Sequence, residues 1–62
     1  MPTPTPKQLR GNQRRRLRAM ANRLRDMAAE WGDLDEGNMS ELDQCADKVD
    51  RTADELYASE DE

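Results

Sequence analysis

The chain has no histidine, a single cysteine and only two aromatic residues among its 62. With Cys45 alone no disulfide can close within the chain, and one thiol without histidine lacks the ligands of a structural zinc site. No apolar run approaches the roughly twenty residues that span a bilayer. The opening "MPTPTPKQLR" has no apolar core segment and does not read as a secretory signal. A soluble, cytoplasmic chain without membrane association is the expectation. Ser/His/Asp and Cys/His constellations and a glycine-rich phosphate loop are all missing, so neither an enzyme nor a cofactor is expected. Low aromatic content (3%) beside 39% charged residues argues for long helices and against a β-sandwich. A core built from so short a chain is marginal, and with disulfides and zinc excluded, association is the expected supplement.

Acids are missing from the first 25 residues, which hold Lys7, Arg10, Arg14, Arg15, Arg16, Arg18, Arg23 and Arg25. All 14 acids follow, accompanied only by Lys48 and Arg51, so the two halves carry +8 and −12. Such segregation fits a basic arm for nucleic acid, and equally two elements that pack on each other.

Thr5 in front of Pro6, with Gln8 in the capping-box position, predicts a helix start after a disordered leader over 1–5. Leu17, Met20, Leu24, Met27, Trp31 and Leu34 then recur at alternating spacings of 3 and 4, which is a heptad seam with Leu17, Leu24 and Trp31 at a. Met39, Leu42, Ala46, Val49, Ala53 and Leu56 repeat the pattern with Met39, Ala46 and Ala53 at a. The two registers do not join, so "WGDLDEGNMSEL" must break the chain. Gly32 or Gly37 in a left-handed conformation can end the first helix, and Asn38 with Glu41, or Ser40 with Asp43, can cap the second. The expectation is helix 1 over 6–32 (or to 36), a turn over 33–38, helix 2 over 39–58 and an acidic tail over 59–62. A short connector makes this an all-α antiparallel helix-turn-helix hairpin. Because one hairpin has a narrow core, two copies forming a homodimeric four-helix bundle would bury the twelve seam residues better.

Antiparallel pairing gives some of the arginines a partner. The start of helix 1 would lie beside Asp47, Asp50, Asp54 and Glu55, and Arg14, Arg16 and Arg23 flank the seam at e and g. Arg15, Arg18 and Arg25 fall at f and b, directed away from the seam. They are the candidate nucleic-acid residues, and the plain alternative for them is a solvated face. No aromatic lies among them to stack a base, and the net charge of −4 opposes nonspecific DNA binding. Cys45 is expected to be a small half-buried residue beside the seam, in acidic surroundings that do not activate a thiol. "DLDEGN" has oxygen ligands and a glycine but lacks the twelve-residue calcium-loop spacing, so no metal is expected.

"ADELY" at 53–57, near the end of the second helix, and "LDE" at 34–36 in the turn resemble the Rop family of plasmid copy-number regulators. The resemblance spans residues 34–57 with a shift of about one helical turn between the two matches. It implies a homodimeric antiparallel four-helix bundle that holds paired RNA hairpins against its first helices; apart from the resemblance, a phage- or plasmid-encoded modulator is one example of a small helical regulator with these features. Helix 1 does not match that family, and its RNA-contacting aromatic has no counterpart here, so no site residue is carried over. Three functions are consistent with the residues: a dimeric regulator or adaptor acting through protein contact, an RNA-binding bundle, and a monomeric hairpin docking on a larger partner.

Overall fold

The computed structural model describes residues 3–57. Two helices, α1 (Pro6–Glu30) and α2 (Glu36–Glu55), pack on each other as a hairpin, with no strand among the described residues. At 1.5 Å per residue they are about 38 and 30 Å long.

Local chemistry sets their ends. Thr5 is the N-cap of α1: its Oγ1 accepts the Gln8 N–H, and the Thr5 N–H donates back to Gln8 Oε1, both at 3.1 Å. Pro6 follows at the first helical position, where its missing N–H costs nothing. At the other end neither Gly32 nor Gly37 is left-handed, because no described residue has positive φ. Trp31 closes α1 in a right-handed conformation, and its carbonyl accepts the N–H groups of both Leu34 and Asp35 at 2.8 Å. The connector is therefore a tight turn built on one carbonyl, and α1 stops at Glu30. Asp35, in place of Asn38 or Ser40, caps α2 by accepting the Asn38 N–H at 3.1 Å, which starts that helix three residues earlier than the seam suggested. Gly37 lies inside its first turn, where an added Cβ would sit 3.1 Å from the capping Asp35 carboxylate. Helix α2 ends at Glu55. Position 58 and the acidic tail 59–62 lie outside the described residues, as do residues 1 and 2.

The core consists of Ala21, Ala28, Ala46 and Ala53, the only fully buried residues among those described. Each pair is seven residues apart, so each forms a straight stripe along its helix. A methyl is all that separates the two backbones there, which favours the short end of the 8–10 Å interaxial range. At about 0.8 kcal/mol per buried carbon, the four methyls contribute roughly 3 kcal/mol.

This shifts the seam expected on α1. Leu17 and Leu24 are half-buried beside the alanines, but Met20, Met27, Trp31 and Leu34 are not hairpin core: they remain 49, 48, 38 and 78% exposed. Ala21 and Ala28, at e, take the place assigned to the d residues. The phase differs because two helices joined by five residues approach as closely as their side chains allow, and alanine allows more than methionine. On α2 the expected seam falls where the contact is: Ala46 and Ala53 are buried, and Met39, Leu42, Val49 and Leu56 are half-buried.

Candidate interaction surface

The two alanine stripes divide the hairpin into unlike faces. On one flank of α1, Arg14, Arg18 and Arg25 sit beside the stripe, opposite Asp47, Asp50 and Asp54 of α2. Arg14 pairs with Asp54 at 3.4 Å. Arg18 bonds to Asp54 and lies 3.8 Å from Asp50. Arg25 donates to Asp47 at 3.1 Å and to Asp50 at 2.7 Å. Hydrogen bonds to Asp50 and then Asp47, outweighing a small desolvation effect, raise the Arg25 pKa above its ordinary value. The guanidinium is therefore charged at any pH where the fold exists.

Two of the three candidate nucleic-acid residues are consequently engaged within the hairpin. Arg18 and Arg25, at b, were read as facing outward from a seam at a and d. With the contact rotated to a and e, b turns toward α2 and meets its aspartates. The same rotation carries Arg16 and Arg23, expected to pair with α2, out to solvent, where neither forms an ion pair among the described residues. Arg15 alone keeps its outward place and bonds to Asn12 at 2.5 Å, one helical turn back. Arg14 pairs with α2 from its e position.

The opposite flank is apolar. Leu17, Met20, Leu24 and Met27 lie on α1, Trp31 and Leu34 follow in the connector, and Leu42 and Val49 lie on α2 with Leu56 at its C-cap. Two shallow grooves mark this face, one on α1 lined by Gln13, Arg16, Leu17 and Met20, the other where α1 meets the connector, lined by Met27, Glu30, Trp31 and Leu34. Cys45 borders the same flank on α2 and is exposed, not half-buried. Among the described residues no cluster of three or more His, Cys, Asp or Glu side chains is placed to hold a metal ion, and no helix is long and apolar enough to cross a membrane.

The face was legible in the spacing of its residues, which the sequence offered both to the hairpin contact and to a bundle of two hairpins. The signal for the actual core was the seven-residue repeat of alanine in both helices. Compared with family models, curated proteins and solved structures, the chain matches none of them.

Proposed function

We propose that this chain is a small non-enzymatic regulator or adaptor that works through protein contact. In this reading its apolar face assembles with a second copy into a homodimeric four-helix bundle. One observation carries the proposal: the hairpin is a single helical layer, 22 Å wide and 9 Å thick at its Cα atoms, with large side chains left exposed along one face. A domain needs two packed layers around a core, and this chain supplies one. A face about 30 Å long and 22 Å wide projects to roughly 650 Å², close to the ~800 Å² per partner of a stable complex.

Protein contact is favoured over RNA binding because Arg18 and Arg25 are already neutralised by carboxylates, leaving Arg15 alone of that set. Trp31, the only tryptophan, lies on the face and reports on its covering. Raising protein concentration should shift Trp31 emission to the blue, with a midpoint that Met20→Lys combined with Met27→Lys moves at least tenfold higher. Both positions are half-exposed in the hairpin, so helical circular dichroism at high concentration should survive the change. An emission maximum independent of concentration, at the wavelength of solvent-exposed indole, would overturn the reading.

A further inference from the structure

The stripe of α1 that meets α2 changes character where α2 ends. It runs along the a and e positions, Leu17, Ala21, Leu24 and Ala28, and toward the start of the helix the same positions hold Lys7, Arg10 and Arg14. Asp54, in the last turn of α2, bonds to both Arg14 and Arg18, so α2 finishes about level with them. Residues 6–12 of α1, about 10 Å of helix, therefore overhang with no described helix opposite. We propose that the acidic segment 58–62 covers this overhang, carrying Glu60, Asp61 and Glu62 onto Lys7 and Arg10, so that an anion from outside must displace it.

The chain is already directed there. Leu56, at the C-cap, is extended with φ −60° and ψ 135°. Leu56 and Tyr57 line a groove with Leu9, Arg10 and Gln13, so the chain leaving α2 crosses onto the overhang before residue 58 is reached. Five further residues, extended at about 3.3 Å each, span roughly 16 Å and exceed the length to be covered. Charge selects the same occupant. Lys7 and Arg10 form no ion pair among the described residues, and segment 58–62 holds three carboxylates and no cation.

Arg10 also separates this surface from a merely solvated one. It is half-buried, and its Nε is buried without a hydrogen-bond partner among the described residues. A donor withdrawn from water in this way is costly until an acceptor reaches it, and a carboxylate is the strongest acceptor for a guanidinium. Exposed ion pairs are individually weak. Here the tether holds the carboxylates at an effective concentration on the order of millimolar, which lets weak pairs add. Nothing in this contact depends on the dimer reading above.

Nitrogen-15 relaxation of the full chain tests it. At low salt, residues 59–61 should give order parameters of about 0.8, and values below about 0.6 would overturn the proposal. Glu60→Gln with Asp61→Asn and Glu62→Gln leaves both helices intact and should move the amide signals of Lys7 to Gln13; changes confined to 58–62 would overturn it. Ordering seen only at concentrations where Trp31 emission is blue-shifted would put the segment on a second copy and overturn its seating within one chain. Tripolyphosphate should then perturb the Lys7 and Arg10 signals of the neutral-tail variant at a concentration at least tenfold lower than the unmodified chain requires. Asp26→Asn with Asp33→Asn and Glu41→Gln removes the same charge near the connector and should bring no comparable gain. Equal gains in the two variants would mean that overall charge alone acts, and would overturn the displacement.

Discussion

A methyl group decides the phase of this hairpin. Ala21, Ala28, Ala46 and Ala53 are fully buried, while every larger apolar side chain among the described residues keeps part of its surface in solvent. Enlarging one of them should therefore force the helices apart. Ala21→Leu is expected to destabilise the hairpin by about 1–3 kcal/mol, the usual cost of overpacking, whereas Ala19→Leu, on the exposed side, should change stability by no more than about 0.5 kcal/mol. Urea unfolding of the two variants at one protein concentration makes the comparison. Equal effects would mean that the alanines are not the contact. This was the residue-scale feature hardest to read in advance. Leucine and methionine announce burial by their hydrophobicity, but alanine is common on every face of a helix. Only its repeat at seven residues in both helices distinguishes it.

Between the elements, the arginine and aspartate rows act as an exposed electrostatic seam. Pairs of this kind contribute modestly and are screened by salt. Replacing Arg18 and Arg25 together by Gln should lower the melting temperature by a few degrees at low ionic strength, with most of the difference gone near 1 M salt. If these arginines instead faced an external ligand, the variant would melt with the wild type at every salt concentration. Deprotonating the guanidinium plays no part: a raised arginine pKa gives stability that persists as pH increases and is lost only beyond the range in which the chain would be studied. The helix signals were unevenly legible. Thr5, Pro6 and Gln8 marked the start of α1 because all three act within one turn. The N-cap of α2 was obscured because Gly37, read as a break, actually sits beside the Asp35 carboxylate that does the capping. One displacement accounts for the misplaced arginines. Moving the contact from a and d to a and e turns Arg18 and Arg25 inward and Arg16 and Arg23 outward.

At the scale of the molecule, the large apolar residues left out of the hairpin core become its most informative feature. The heptad pattern was legible, and so were a pair of helices and their packing. What a pattern of spacing does not specify is which of two neighbours each stripe meets, the other helix or another molecule. Here the alanines satisfy the first, and Met20, Met27, Trp31 and Leu34 stay exposed on the hairpin. A layer one helix thick with a charged side and an apolar side has one economical completion, another layer facing it. Sedimentation equilibrium of the unmodified chain across a hundredfold concentration range tests this most directly. A species of about 14 kDa, twice the 7.1 kDa chain, that dissociates reversibly on dilution is the result expected. A mass of 7.1 kDa at every concentration would contradict the account and leave the apolar face without its second layer.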